Sequence, residues 1–219
     1  MCLHGYLSSK EAFASQVAYF SRFYRVTAID FLGFGHSRCL TSAFSVEEYA
    51  LWTKEVLTLL GVSQPHVIAH SFGCRVAVKL ASKEPTFFDK MLLTGAAGIR
   101  PKHGIAYHAK VKLYRLVRKV APVYAEAHFG SAEYRALSPI MKESYKKIVN
   151  EDLRSCAQQV KNQVLLVEGV EDTVTPISDV NAYLGAFQQG KMKMMPGGHF
   201  AFLEYPTAFN IIAEEFFYE

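Results

Sequence analysis

Residues 66–75, His66-Val67-Ile68-Ala69-His70-Ser71-Phe72-Gly73-Cys74-Arg75, constrain this chain more than any other stretch. A short β-branched, apolar run stops at a serine set between small residues, and helical periodicity resumes at once. That is the pattern of a strand, a sharp turn and a helix. A serine at the apex of such a turn is held out of the sheet with its Oγ exposed. The N–H of the next residue, Phe72, points to where an oxyanion would form. The spacing is small-x-Ser-x-Gly, from Ala69 to Gly73. Alone it is a common pattern, and a serine there would equally cap the following helix. The chemistry therefore depends on whether the rest of the chain supplies a base, an acid and a second oxyanion donor.

Composition bounds the possibilities. The 219 residues suit one domain with an insertion, 50% of them are apolar and 20% are charged, which excludes a disordered chain. No run approaches the ~18 to 20 apolar residues of a membrane span, and no basic-then-apolar signal segment opens the chain. Cys2, Cys39, Cys74 and Cys156 lack metal or disulfide-framework spacing, so a reducing cytoplasm is expected. A net charge of +4 without a zinc-finger, Walker or dinucleotide motif gives no case for nucleic acid.

In chain order, Met1-Cys2-Leu3 reads as the end of a buried strand running into His4-Gly5. Ser8 or Ser9 can cap a helix whose apolar face is Phe13, Val17, Phe20 and Tyr24. Arg25–Asp30 reads as a strand, and 31–37 as a glycine-punctuated loop. Ser45-Val46-Glu47-Glu48 is a capping box opening a helix to about Leu60, with Gly61 as its stop. After Ser71 the pattern predicts a helix over 72–83, strands at 90–94, 163–168 and 191–195, and a last helix over 207–217. Alternating strands and helices predict an α/β fold, a mostly parallel twisted sheet covered by helices on both faces. Residues 1–98 and 157–219 form that core, and 99–156 is a helical cap inserted over the carboxyl ends of the strands, where ligands bind.

Serine chemistry needs a base and a group that orients it. His199 follows the last strand, and Pro196-Gly197-Gly198 gives a tight turn that can project its ring across the sheet edge. The acid should follow the preceding strand, where Glu168, Glu171 and Asp172 are candidates. Asp172 is preferred because turn residues surround it, and Glu168 and Glu171 are expected to be solvated or locally hydrogen-bonded. The second oxyanion donor fits the Tyr6 N–H beside the Phe72 N–H.

His4-Gly5, Asp30 to Ser37, His70-Ser71-Phe72-Gly73, the 169–176 loop and Gly198-His199 together resemble the α/β-hydrolase superfamily. They fall in its order and cover nearly the whole chain. The resemblance implies an eight-stranded sheet and a Ser–His–Asp hydrolase without metal or organic cofactor. It carries the nucleophile onto Ser71, the acid onto Asp172, the base onto His199 and the oxyanion donors onto Tyr6 and Phe72. Two departures stand out. Ala69 replaces the usual glycine, and the family's two strands and most of a third before the His-Gly loop are missing. Met1-Cys2-Leu3 is then a stub in a central place, and Arg25–Ile29 becomes a bare edge, exposed or paired in a homodimer.

The other histidines point to no metal site: His70 reads as a packed neighbour of the nucleophile, His36 as a loop residue, and His103, His108 and His128 as exposed cap residues. Lys102, Lys110, Lys112, Arg115, Arg118 and Lys119 read as a solvated cap face rather than a membrane-binding helix. Tyr107, Tyr114, Tyr124, Phe129 and Tyr134 would make an acyl pocket if they face inward. The expected activity is hydrolysis of a small or medium carboxylic ester through an acyl-enzyme. The alternatives are a thioesterase, a carbon–carbon bond hydrolase with the same triad, or a catalytically silent scaffold used for binding. A haloalkane dehalogenase is disfavoured, since its chemistry needs a carboxylate where Ser71 stands.

Overall fold

The computed structural model describes residues 1–100 and 132–219 and, between them, Lys112 alone. Six parallel strands form one sheet: β1 (Cys2–Leu3), β2 (Ala28–Ile29), β3 (Val67–His70), β4 (Met91–Thr94), β5 (Val164–Gly169) and β6 (Gly190–Met195). Their order is β2-β1-β3-β4-β5-β6. Among the described residues the sheet thus has six strands rather than the eight that the resemblance implies.

Helices form where the sequence signals expect them over 46–59, 72–83 and 206–218, and further ones flank the sheet. They are α1 (Ala14–Phe20), α2 (Val46–Leu59), α3 (Phe72–Lys83), α4 (Ala132–Ala136), α5 (Pro139–Asn150), α6 (Arg154–Ala157), α7 (Ile177–Leu184), α8 (Ala201–Glu204) and α9 (Pro206–Tyr218). The Ser45–Glu48 capping box is formed in full, and Gly61 takes φ +62° just past α2. Ser9 precedes a 3-10 turn over Lys10–Phe13 rather than an α-helix, and its side chain makes no capping bond there.

Alternation along the strands divides the core. Leu3, Ala69, Leu93 and Leu166 face one side with Tyr49, Phe72, Val76 and Tyr183. Cys2, Ile68, Leu92 and Leu165 face the other with Phe13, Phe20, Phe202, Phe209 and Phe216. Both faces are covered, as a parallel sheet requires. Each fully buried Leu or Phe contributes on the order of 2 to 3 kcal/mol, so the two layers fix the register of every strand.

β2 is shorter than the Arg25–Asp30 strand predicted. Its partner β1 offers only Cys2 and Leu3, which pair with Ala28 and Ile29 on one side and with Ile68 and Ala69 on the other. A ladder cannot outrun its partner. β2 is the outermost strand on that side, and Arg25 before it is exposed. The other edge, β6, turns Lys191 and Lys193 to solvent, where they pair with Glu219 and Glu215. Among the described residues no helix is long and apolar enough to cross a membrane.

Candidate active site

Ser71 sits between β3 and α3 with φ +48° and ψ −106°. A non-glycine residue held there costs roughly 1 to 3 kcal/mol, so the surroundings must enforce it. Its N–H donates to the Thr94 carbonyl (3.0 Å) and its carbonyl accepts from the Cys74 N–H (3.0 Å). Gly73 makes the turn possible: a Cβ there would lie 2.3 Å from the Leu3 carbonyl oxygen. The start of α3 therefore presses directly on the end of β1. Ala69, in place of the usual glycine, is fully buried within β3 and leaves the turn intact.

The loop after β1 is carried against this turn. A Cβ on Gly5 would lie 2.6 Å from His70 Nδ1 and 3.5 Å from Ser71 Cβ. His4 is fully buried and builds the loop: its Nδ1 donates to the Gly5 carbonyl (2.7 Å), and its Nε2 accepts from the Phe31 N–H (3.1 Å). That pairing requires a neutral ring, and burial pushes its pKa down to match. Tyr6 and Phe72 then line the same cavity as Ser71, their rings 5.7 Å apart. The Tyr6 hydroxyl reaches across to donate to the Met141 carbonyl on α5 (3.1 Å).

Asp172 and His199 meet where two glycine turns interlock. A Cβ on Gly169 would lie 2.3 Å from the carbonyl oxygens of Gly197 and Gly198. Glu171 N–H donates to the Gly197 carbonyl (2.9 Å), tying the two loops together. His199 Nδ1 lies 2.8 Å from Asp172 Oδ2. Burial of Asp172 opposes its charge, but hydrogen bonds from His199 and Thr175 prevail and hold its pKa at about 2. Val174 N–H (2.7 Å) and Thr175 N–H (2.9 Å) both donate to Oδ1, so the carboxylate is fixed by its own loop. Ser71 and His199 face one cavity of about 410 Å³.

A parallel sheet carrying a serine at a strained strand–helix turn, with an Asp–His pair on the last two strand ends, matches a known fold, and a family model described as the alpha/beta hydrolase fold matches residues 1–129. The chain belongs to the α/β-hydrolase fold family. Within the family it is similar to an uncharacterised protein of Mycobacterium tuberculosis, 22% identical over 99% of this chain and 74% of the relative. It is 26% identical to a 2-hydroxymuconate semialdehyde hydrolase of Pseudomonas putida, over 89% of this chain and 77% of that protein. Among solved structures, an esterase from Exiguobacterium antarcticum gives a TM-score of 0.80 at 18% identity, covering 100% of this chain and 91% of that one.

Two residues of this hydrolase-fold site, Arg75 and Thr175, were not singled out by the sequence, and a third, Glu168, was misread. Arg75, one turn after Ser71 on α3, is buried and lines the cavity. Its guanidinium donates to the carbonyls of Ile148 (3.1 Å), Glu151 (2.8 Å) and Ile99 (3.4 Å), so it caps the end of α5 and stitches it to α3. Thr175 supports Asp172, and the Asp-x-x-Thr spacing was the available signal. Glu168 is the clear correction: it is 1% exposed, neither solvated nor bonded within its own loop. Its Oε1 accepts from the Ala96 N–H beyond β4 (2.9 Å), and Oε2 has no hydrogen-bond partner among the described residues.

His70 is packed beside Ser71 as expected; its Nε2 donates to the His199 carbonyl (3.0 Å), and burial drives its pKa to about 3, so it stays neutral. His36 is exposed in its loop. Glu11, Asp30 and His36 bring potential ligand atoms within 4.8 Å of one another, but Asp30 already accepts from Lys10 N, Lys10 Nζ and His36 N. The cavity that Ser71 faces is also lined by Tyr134, Leu137, Tyr145, Ile148 and Val149. Of the other cap residues named from the sequence, only Lys112 is described, and it is exposed. His103, Tyr107, His108, Lys110, Lys102, Tyr114, Arg115, Arg118, Lys119, Tyr124, His128 and Phe129 lie outside the described residues.

Proposed function

We propose that this chain is a serine hydrolase that cleaves a small or medium carboxylic ester through an acyl-enzyme on Ser71. The observation that carries the reading is the 2.8 Å contact between His199 Nδ1 and Asp172 Oδ2, at the rim of the cavity that Ser71 enters from a strained turn. With Asp172 ionised, Nδ1 keeps its proton, and Nε2 is the free base that takes the Ser71 Oγ proton. Oγ attacks the ester carbonyl, and its oxygen gains negative charge between the N–H groups of Phe72 and Tyr6. The positive end of α3 adds to that stabilisation. The imidazolium then protonates the leaving alkoxide. Water, deprotonated by the same nitrogen, attacks the acyl-enzyme and frees Ser71.

In this reading segment 99–156 is a cap, and its described part supplies an apolar wall (Leu137, Tyr145, Ile148 and Val149) for the acyl group. The substrate is a small molecule, and no step calls for a metal or an organic cofactor.

A second reading keeps the same residues and breaks a carbon–carbon bond next to a carbonyl. What favours it is the likeness to the 2-hydroxymuconate semialdehyde hydrolase. A panel of p-nitrophenyl esters of rising acyl length, run beside vinylogous diketone acids with Ser71→Ala as the control, separates the two. Ser71-dependent ester turnover with a chain-length optimum supports the first. Turnover of the diketone acids alone moves the assignment to the second, and turnover of neither supports a silent scaffold.

A further inference from the structure

Glu168 takes no part in the steps above, although it lies near the end of β5 and is bonded to Ala96, a residue of the cavity wall. It is a buried carboxyl with one oxygen on the Ala96 N–H, a further contribution from the Gly95 N–H, and the other oxygen without a hydrogen-bond partner among the described residues. Leaving a polar oxygen of a neutral carboxyl unpaired in such a place is costly, and burying an ionised carboxylate there far more so.

What Glu168 holds gives its position meaning. Gly95 adopts φ +53°, a conformation that a side chain would oppose. A Cβ at Gly95 would lie 2.9 Å from both Nδ1 and Cε1 of His199 and 3.1 Å from its carbonyl oxygen. The turn after β4 is thus the floor on which the His199 ring rests. The carboxyl of Glu168 fastens that floor from beneath, while Asp172 fixes the ring from the side.

We propose that Glu168 is a positioning residue for His199: its buried carboxyl clamps the Gly95–Ala96 turn so that the imidazole meets both Asp172 and Ser71. The inference rests on the serine-hydrolase reading for its catalytic meaning. The groups around Glu168 support a neutral acid. Asp172, on the loop that follows β5, supplies a negative charge that disfavours a second one. Cys74 on α3, which lies near Glu168, is buried with its own pKa raised by that burial, so it offers no countercharge. Burial, with the Asp172 charge added, pushes Glu168 up to about 8. Asp172 is therefore the carboxylate that pairs with the His199 ring at neutral pH, while Asp179 stands elsewhere on the cavity wall. A second negative charge arrives beneath the ring only when Glu168 ionises.

The test compares Glu168→Ala and Glu168→Gln in the full chain by ester kinetics and by NMR of the His199 ring nitrogens between pH 6 and 10. Glu168→Ala, which removes the clamp, should lower kcat about 10- to 100-fold with KM changed less than about threefold. Glu168→Gln keeps an acceptor for the turn and should restore kcat to within about threefold of the wild type. The wild-type ring resonances should show an inflection near pH 8 that Glu168→Gln lacks. A Glu168→Ala variant with wild-type kcat, or identical ring titrations in the wild type and Glu168→Gln, overturns the proposal. The NMR comparison needs no turnover, so it decides the clamp even if Glu168→Ala does not fold. It also decides the clamp if the hydrolase reading fails because Ser71 is unreactive.

Discussion

Asp172 Oδ2 and His199 Nδ1 lie 2.8 Å apart although they belong to separate loops after β5 and β6. The contact exists because Gly169 lets one loop sink against the backbone of Gly197 and Gly198. In the proposed mechanism it sets the imidazole tautomer, and through it the direction in which a proton would leave Ser71. Asp172→Asn should reverse that tautomer while keeping the shape. The expected loss in kcat is about 10³- to 10⁴-fold with the fold intact by circular dichroism. A loss under tenfold would mean that the contact does not orient the base.

The same carboxylate leaves a mark on stability. Asp172 and Asp30 both have folded pKa values of about 2, below the ordinary 3.8. For Asp30, burial is outweighed by hydrogen bonds from Lys10 and His36. A depressed carboxylate favours folding above its unfolded pKa, and that contribution is lost as pH falls through the folded value. Each is worth on the order of 1 to 2 kcal/mol. Urea midpoints should therefore drop between about pH 4 and pH 2, and the drop should shrink by about half in Asp30→Asn.

Glu168 has the opposite sign. Its folded pKa is raised by burial from 4.5 to about 8, so the folded state holds a proton that the unfolded chain releases. Its contribution is fully present below about pH 4.5 and is lost as pH rises toward 8. Wild-type stability should fall over that window, and Glu168→Gln should flatten the slope. An unchanged slope in the variant would show that the carboxyl is not held neutral.

Arg75 ties α3 to the last carbonyls of α5 and to Ile99. Truncation leaves three carbonyl acceptors without this donor. Arg75→Ala should cost roughly 2 to 4 kcal/mol in urea unfolding and raise KM more than it lowers kcat, because the apolar wall moves and Ser71 does not. Arg75→Lys cannot reach three carbonyls with one ammonium and should recover only part of the loss.

Gly73→Ala would drive a methyl to 2.3 Å from the Leu3 carbonyl oxygen. Either β1 or the start of α3 must shift, and both bear on the proposed oxyanion site. A kcat reduced at least tenfold, with a melting temperature several degrees lower, is expected.

How much of this was readable beforehand depended on the range of the forces involved. The Ser45 box, the Gly61 stop and the Phe72–Lys83 helix are local, set by side chains a few residues apart, and they stand where the sequence put them. Ser71, Asp172, His199, Tyr6 and Phe72 were marked by turn chemistry at strand ends, and the structure gathers them at one cavity or on its rim. β2 was overread, because β-branched character says nothing about how long a partner β1 offers. Glu168 was misread for a related reason. Its burial and its bond to Ala96 come from the neighbouring strand, and a carboxylate in a turn-rich stretch looks solvated until that neighbour is in place. Arg75 was invisible in the same way, since its three acceptors lie far along the chain.

The central claim is that Ser71 is an activated nucleophile. Incubation with a fluorophosphonate, followed by peptide mass spectrometry, tests it directly on wild type, Ser71→Ala and His199→Ala. The account predicts one adduct per wild-type chain on the peptide carrying Ser71, none in Ser71→Ala, and labelling slowed by about 10³-fold or more in His199→Ala. A folded wild-type protein that takes no label at Ser71, or one that labels equally fast without His199, would contradict it.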